Sequence, residues 1–254
     1  MLTTYLLGEN LPYKLLVDDR TALLGGAFEL GAPIRPYSPL PLKWAWDQLI
    51  RYPKAVLLDV GASTGCYSLL AKCHPDLTVY SFEPVALTYA VLKENIYLNE
   101  LAAKVHTYNM GVSDYVGTGT LHTVIADGGK GVSIVDGRPA YHKATAESTI
   151  EVTTIDAFCE QNNVAPTLLK IDVEGNEKAV LRGAKKTIEK YHPFILVEYS
   201  AENAEQFEGG VNEIVVMLEE WGYAWLNPEG TDLWAVPIGW EKITNVQHME
   251  IKTE

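Results

Sequence analysis

The sequence predicts an α/β fold in which helices cover both faces of a mostly parallel sheet. Continuous apolar runs, which are typical of strands buried on both faces, alternate with segments of helical length. The first of these runs, Val56–Val60, leads into a turn that contains Gly61 and Gly65. The last two runs form a hairpin pattern, which gives the sheet one antiparallel C-terminal strand.

The predicted elements lie within residues 53–240, which we take as the main domain. Strands are expected near residues 56–60, 78–83, 104–109, 167–172, 193–199, 222–226 and 232–237. Helices are expected near residues 65–74, 85–100, 155–163, 176–190 and 211–221. Because strands alternate with helices, right-handed crossovers should make this seven-stranded sheet parallel except at the final strand.

Residues 1–52 are predicted to form an N-terminal extension. The segment Gly31–Leu42 is rich in proline, so we expect neither regular helix nor central strand there. The following stretch, Lys43–Tyr52, has the pattern of a short amphipathic helix, in which Trp44 and Trp46 should cover the core.

Residues 115–155 are predicted to be a β-hairpin-like insertion between the third and fourth strands. Two strand-like runs flank the stretch Asp127–Gly137, which contains four glycines and which we expect to act as a lid or binding loop. His122 and His142 flank this loop and are either surface residues or general bases, because histidine titrates near neutral pH. The polar tail, residues 241–254, is expected to be loose.

Composition narrows the class of function. The chain has 20 basic and 33 acidic residues, a net charge of −13, which argues against nonspecific binding to nucleic acid or anionic membranes. No apolar stretch reaches the length of about 20 residues that spans a bilayer. The N-terminus lacks the basic start of a signal peptide, so we expect a cytoplasmic protein whose Cys66, Cys73 and Cys159 are free thiols.

The glycine turn indicates a nucleoside-containing cofactor. From Asp59 to Gly65 it reads D-x-G-x-S-x-G, which is not the G-x-G-x-x-G spacing of dinucleotide pyrophosphate sites. It is close to the D/E-x-G-x-G-x-G loop of S-adenosylmethionine (SAM) enzymes, with Ser63 at the middle glycine. The alternative is an ordinary glycine-rich turn of a doubly wound protein.

The end of the second core strand supports a cofactor with a ribose. Glu83 follows Gly61 by about 20 residues, the spacing at which an acid accepts hydrogen bonds from ribose hydroxyls in doubly wound folds. The same carboxylate would repel a phosphate. Pro84 then stops the strand and opens the next helix.

Other residues are assigned to the cofactor by position. The segment after the third strand lies where adenine could be contacted, with Asp114 accepting from its amino group, although an ordinary turn explains the segment equally well. Asp59 is expected to order the loop or to bind the cofactor amine, and the alternative is a helix cap. The predicted cofactor set is Asp59, Gly61, Ala62, Ser63, Gly65, Glu83, Pro84, Gly111, Val112, Asp114 and Asp172.

A third motif carries a family resemblance. The run TLLKIDVEGNEKAVLRGA, Thr167–Ala184, is a buried strand that ends in Asp172 and leads into a helix. With DVGASTGCYS, SFEP and KENIYLN, it resembles the FkbM family of class I SAM-dependent methyltransferases. The resemblance implies a Rossmann-like class I methyltransferase fold and O-methylation of a hydroxyl on a small molecule or glycan. The family usually reads G-A-N-x-G in the first loop, and Ser63 replaces that asparagine.

Methyl transfer to a hydroxyl requires alignment, exclusion of water and removal of a proton. Asp172, Glu174 and Glu198 are the candidate catalytic acids, because they follow the ends of neighbouring strands, and helix capping is the alternative for the first two. Acids at such positions can hold magnesium, but nothing in the spacing demands it, and no metal site is assigned. Two other functions stay open: a methyltransferase that acts on protein, and a catalytically silent interaction module with this fold.

Overall fold

The structure is a computed structural model that describes residues 2–6, 14–18, 39–123, 133–135, 146–199, 212–228 and 230–240. The strands are β1 (Leu2–Leu6), β2 (Lys14–Asp18), β3 (Val56–Val60), β4 (Thr78–Phe82), β5 (Val105–Tyr108), β6 (Gly111–Val112), β7 (Gly117–Thr123), β8 (Ser133–Val135), β9 (Ala146–Thr153), β10 (Leu168–Ile171), β11 (Phe194–Glu198), β12 (Tyr223–Leu226) and β13 (Asp232–Pro237). The helices are α1 (Pro39–Leu49), α2 (Ala86–Leu98), α3 (Ile155–Asn162), α4 (Glu177–Arg182), α5 (Lys185–Tyr191) and α6 (Asn212–Glu220), with a 3-10 helix at Ser68–Lys72.

The main sheet has seven strands in the order β12-β13-β11-β10-β3-β4-β5. Strands β11, β10, β3, β4 and β5 pair in parallel, and β13 runs antiparallel to both of its neighbours. This topology confirms the predicted α/β fold with its one antiparallel C-terminal strand. That strand lies inside the sheet, between β11 and β12, because the hairpin folds back onto β11.

Helices cover both faces of this sheet. Adjacent residues of a strand point to opposite faces, so Leu57 packs in the core on one side and Leu58 in the core on the other. The first core includes residues of α1, α2 and the 3-10 helix, and the second includes residues of α3 to α6. Burial on both faces explains why the strands read as continuous apolar runs.

Helix α1 corrects one expectation for the N-terminal region. It begins at Pro39, so residues 39–42 of the proline-rich segment are helical. Proline is tolerated in the first turn of a helix, where its missing N–H has no intrahelical partner in any case. Trp44 is buried and stacks on Trp234, with 5.5 Å between the ring centroids, which confirms its predicted place in the core.

The helix expected at residues 65–74 is only the short 3-10 helix. Gly65 has a φ of +99°, which is incompatible with helix, so the turn after β3 is longer than predicted. Ser68 then fixes the segment to the sheet, because its hydroxyl donates to Asp59 Oδ2 at 2.6 Å and lies 2.7 Å from Ser81 Oγ.

The helix expected at residues 176–190 is broken into α4 and α5. A Cβ atom on Gly183, between the two helices, would lie 2.2 Å from the carbonyl oxygen of Ser113, so the chain needs glycine there. Asp156 then caps α5, since its carboxylate accepts from the N–H groups of Lys186 at 3.1 Å and Thr187 at 2.7 Å. Both causes are tertiary contacts between segments distant in sequence.

The insertion forms its own small sheet. Strands β7 and β9 pair antiparallel from Gly117 with Val152 to Thr123 with Ala146, and β6 and β8 extend them to four strands in the order β6-β9-β7-β8. The expected hairpin is therefore present. Most of the loop Asp127–Gly137, together with His142 and the tail 241–254, lies outside the described residues. The lid, the loose tail and the domain bounds stay predictions.

Candidate cofactor and methyl-transfer site

The carboxyl ends of the five parallel strands lie in register along one edge of the sheet. Val60 pairs with Phe82 on one side and with Ile171 on the other. The pairings of Phe82 with Tyr108 and of Ile171 with Val197 continue the row. The residues that come next in each strand are Gly61, Glu83, Asn109, Asp172 and Glu198. The topology thus brings predicted cofactor and catalytic residues to the same edge.

The glycine loop packs without space for side chains at two positions. Gly61 has a φ of +73°, and a Cβ atom there would lie 1.7 Å from the carbonyl oxygen of Asp172. A Cβ atom on Gly65 would lie 2.7 Å from Leu92 Cδ1 in α2. The two glycines are needed for close approach of the loop to β10 and α2.

The loop uses its own N–H groups inside the protein. Those of Gly61 and Ala62 both donate to the carbonyl of Phe82, at 3.0 and 2.9 Å. The N–H of Ser63 donates to Glu83 Oε2 at 2.9 Å, and that of Gly65 to the carbonyl of Ala62 at 2.9 Å. A phosphate would find these four donors already occupied, in contrast to a dinucleotide pyrophosphate loop.

Glu83 connects the loop to the start of α2. Its other oxygen, Oε1, accepts from the N–H of Val85 at 2.9 Å, and the residue is only 6% exposed. Burial raises the pKa of Glu83 to about 7, although the two backbone donors work in the opposite direction. Each carboxylate oxygen can accept more than one hydrogen bond, so Glu83 retains capacity for ribose hydroxyls.

Asn109 supports Glu83 from the end of β5. Its side-chain amide donates to the carbonyls of Glu83 at 2.8 Å and Pro84 at 3.0 Å. These bonds fix the bend between β4 and α2. Sequence reasoning missed this residue, because an asparagine after a strand is typical of ordinary turns.

Lys170 is the most informative residue that sequence reasoning missed. It lies in the middle of β10 with a side chain 5% exposed, and its ammonium donates to the carbonyl of Gly61 at 2.8 Å. Nζ also lies 3.3 Å from Asp172 Oδ2 and 3.7 Å from Asp59 Oδ1. Burial lowers the pKa of Lys170, but attraction to the two carboxylates outweighs it, so the net shift is upward.

Asp59 is fully buried beneath the loop. Besides the hydrogen bond that its Oδ2 accepts from Ser68, its Oδ1 faces Lys170 without a hydrogen-bond partner. Burial raises the pKa of Asp59, and Lys170 and Ser68 partly offset that shift. The contacts through Lys170 to the Gly61 carbonyl favour the loop-ordering interpretation of Asp59.

Asp172 and Glu198 have different electrostatic surroundings although they follow neighbouring strands. Asp172 faces the Lys170 ammonium, which does not fit the capping alternative. Burial raises the pKa of Glu198, and the charges of Asp172, Glu174 and Glu177 raise it further. Its Oε2 is buried without a hydrogen-bond partner. Asp172 thus lies in an ion pair with Lys170, whereas the neighbouring carboxylates favour the protonated form of Glu198.

The turn after Asp172 is held from within. Glu174 and Gly175 both have positive φ, +55° and +106°. The buried carboxylate of Glu177 accepts from the N–H groups of Val173 at 3.0 Å and Gly175 at 3.1 Å through one oxygen. The family motif thus contains a structural acid, Glu177, beside the candidate catalytic acid Glu174.

The predicted adenine segment is tied to the insertion. Gly111 and Val112 form β6 and pair with β9, and the N–H of Ser113 donates to the carbonyl of Thr153 at 2.9 Å. The carboxylate of Asp114 accepts from Arg182 Nε and Nη2, both at 2.8 Å. Both Arg182 contacts go to Oδ2 of Asp114. The assignment of Asp114 to adenine stays a prediction.

His122 lies near the end of β7, where its Nδ1 is 3.2 Å from Glu147 Oε1 and its Nε2 is buried without a hydrogen-bond partner.

In the described part of the chain, no group of three or more His, Cys, Asp or Glu side chains is arranged to hold a metal ion. The three cysteines are free. No described helix has the length and apolar character that a membrane crossing requires.

The family comparison decides the assignment. The family model of the methyltransferase FkbM domain matches residues 59–224, from the first acid of the glycine loop to the hairpin. The chain belongs to the FkbM methyltransferase family. The match includes the glycine loop, Glu83 and the motif around Asp172, so this FkbM-family chain is a methyltransferase and the predicted resemblance is confirmed.

Three characterised relatives share part of this sequence. The 31-O-demethyl-FK506 methyltransferase FkbM of Streptomyces tacrolimicus is 28% identical in a 197-residue alignment that covers 67% of this chain and 73% of that protein. The hexuronic acid methyltransferase AglP of Haloferax volcanii is 29% identical in a 150-residue alignment that covers 58% of this chain and 56% of that protein. The 2-O-methyltransferase NoeI of Sinorhizobium fredii is 25% identical in a 187-residue alignment that covers 69% of this chain and 74% of that protein.

Proposed function

We propose that this chain transfers the methyl group of SAM to a hydroxyl of a small molecule or glycan. The observation that carries the proposal is the contact between Glu83 and the glycine loop. Four N–H groups of the loop already donate within the protein, and the buried Glu83 carboxylate beside them would accept ribose hydroxyls and repel a phosphate. That combination favours SAM over a nicotinamide dinucleotide.

Each part of the cofactor can be assigned to residues along the sheet edge. Glu83 would hold the ribose, and the close approach of Gly61 to Asp172 brings the cofactor loop next to the candidate proton acceptor. The segment Gly111–Asp114 is assigned to adenine. When bound, SAM supplies an electrophilic methyl group that a hydroxyl oxygen can displace from sulfur.

The protein must then align the hydroxyl and accept its proton. Asp172 is the proposed acceptor, because it follows the carboxyl end of β10 and its backbone packs directly against Gly61, the first residue of the cofactor loop. Glu198, surrounded by carboxylates, is assigned to a hydrogen bond with the substrate. Glu174 is the alternative proton acceptor, since the turn that carries it is held by Glu177.

The acceptor class is inferred from the relatives. Their names refer to a 31-O position of FK506, to a hexuronic acid and to a 2-O position. All are compatible with a hydroxyl on a small molecule or sugar, and the net charge of −13 does not favour nucleic acid. Action on protein and a silent interaction module remain the alternatives, and a cytoplasmic location stays a prediction.

The test uses SAM labelled with tritium in the methyl group. The full-length protein is incubated with panels of neutral oligosaccharides, uronic acids, hydroxylated macrolactones and unfolded protein, and label transfer is counted. A D172N variant serves as the matched control. Label on a hydroxyl compound, lost in D172N, supports the proposal, whereas label on protein alone would replace the acceptor class. SAM binding with no transfer to any panel would favour the interaction module.

A further inference from the structure

We propose that Lys170 is a positioning residue that fixes the glycine loop against Asp172, so that the cofactor side and the acceptor side of the site hold one relative geometry. This inference rests on the proposed function. It concerns a buried charged group to which neither the family motif nor the chemistry of methyl transfer assigns a role.

Burying the Lys170 ammonium removes it from water, which costs free energy that contacts within the protein must offset. An ammonium removed from water is retained only when charges and hydrogen bonds replace its hydration. Lys170 has both, since its ammonium donates to the Gly61 carbonyl, forms ion pairs with Asp172 and Asp59, and lies 5.3 Å from the centroid of the Tyr67 ring. These contacts replace the hydration of the ammonium.

The contacts connect two parts of the site that the backbone also brings together. Gly61 begins the cofactor loop, and Asp172 begins the turn that carries the candidate acids. The ammonium bonds the carbonyl of the first and the carboxylate of the second. Without it, two carboxylates and one carbonyl would face each other with no donor between them. The loop would then lose the hydrogen bond that holds the Gly61 carbonyl beside Asp172.

A purely structural lysine is the competing explanation, and the chain offers a matched control for it. Lys104 also donates to two backbone carbonyls, those of Ala71 at 3.2 Å and His74 at 2.9 Å. It precedes β5 and therefore lies at the opposite end of the sheet from the cofactor loop. Replacing either lysine with methionine removes the donors to these carbonyls, but only Lys170 contacts the site.

The experiment measures S-adenosylhomocysteine affinity by calorimetry and stability by thermal unfolding in wild type, K170M and K104M. We expect both variants to lose stability. K170M should bind at least about 10-fold more weakly, the scale of one lost charge-assisted hydrogen bond, and K104M should bind within about 2-fold of wild type. Equal affinities of K170M and wild type would overturn the inference, as would equal losses in the two variants.

A second comparison applies where K170M does not fold. The double variant D59N/K170M removes the opposing charge together with the ammonium, and D59N alone is its reference. We expect the double variant to bind at least about 10-fold more weakly than D59N, because the Gly61 carbonyl still lacks its donor. Equal binding of the two would overturn the inference. A wild-type protein that does not bind S-adenosylhomocysteine would instead refute the proposed function.

Discussion

A Cβ atom on Gly61 would lie 1.7 Å from the carbonyl oxygen of Asp172. The first residue of the glycine loop therefore packs directly against the backbone that carries the candidate proton acceptor. No side chain can enter this contact unless the backbone moves. The geometry of the methyl-transfer site depends on a glycine at this position.

Replacing Gly61 with alanine should therefore lower the free energy of unfolding by more than the cost of backbone strain alone, and it should also weaken cofactor binding. A control is Gly222→Ala, since Gly222 has a similar φ of +80° but a Cβ atom there would meet no described neighbour within 4 Å. Strain at positive φ costs about 1–2 kcal/mol. We expect Gly222→Ala to lose about that much in chemical denaturation, with cofactor affinity unchanged. Gly61→Ala should lose more and should bind S-adenosylhomocysteine at least about 10-fold more weakly. Equal losses in the two variants would show that the contact with Asp172 is not tight.

The pKa of Glu83 predicts pH dependence in opposite directions for stability and for binding. Burial raises this pKa to about 7, so Glu83 holds a proton in the folded chain over a range where it is ionised in the unfolded chain. Its contribution to stability is complete below the unfolded value of 4.5 and falls as pH rises through 7. Ribose hydroxyls donate best to the ionised form, so cofactor affinity should rise over the same range.

Calorimetry between about pH 5.5 and 8.5 measures this linkage, with buffers of different ionisation enthalpy reporting the proton released on binding. Glu83→Gln removes the titrating group and also turns an amide donor toward the N–H of Ser63 or Val85, so it should bind weakly at every pH. Affinity of the wild type that does not change with pH would remove Glu83 from the ribose site.

Asp172→Asn should separate binding from catalysis. The variant keeps the shape of the side chain but loses the proton acceptor and the ion pair with Lys170. We expect nearly wild-type SAM affinity, because the Lys170 ammonium keeps its hydrogen bond to the Gly61 carbonyl of the cofactor loop. Turnover should fall by about 100-fold or more, with thermal unfolding recorded to confirm the folded state. Glu174→Gln is the matched comparison. A loss of turnover in Glu174→Gln with an active Asp172→Asn would transfer the proton-acceptor role to Glu174.

Ser63 offers a stabilising substitution. Its φ of +50° lies in the left-handed region, which asparagine adopts more readily than serine, and its side chain is exposed. Asparagine is also the residue that the family usually has here. Ser63→Asn should raise the free energy of unfolding by about 0.5 kcal/mol. Unchanged or lower stability in denaturant titrations would contradict this role of the backbone conformation at Ser63.

The strands of the main sheet could be predicted to within about one residue, because the central strands β3, β10 and β11 are buried on both faces and read as apolar runs. The elements that were wrong depend on contacts between distant segments. At the break between α4 and α5, a Cβ atom on Gly183 would lie 2.2 Å from the carbonyl oxygen of Ser113, and no local pattern reports that approach. The spacing after Gly61 predicted Glu83 for the site, and the end of the fourth core strand predicted Asp172. Neither pattern revealed the partners that hold them.

Lys170 shows what sequence reasoning could have found. A lysine inside the apolar run TLLKID is rarely buried without a partner, and Asp172 follows it two residues later, on the same face of the strand. That pattern indicates a buried ion pair between Lys170 and Asp172. Asn109 and Arg182 had no comparable signal, because polar residues in such positions are typical of turns and helix surfaces.

The most direct test of the SAM site is a calorimetric titration of the full-length chain with SAM, S-adenosylhomocysteine and NAD under the same conditions. We expect binding of SAM and S-adenosylhomocysteine with a Kd in the micromolar range, about −8 kcal/mol, and no comparable binding of NAD. Binding of NAD with no signal for SAM or S-adenosylhomocysteine would contradict the assignment of the glycine loop and Glu83 to a SAM site.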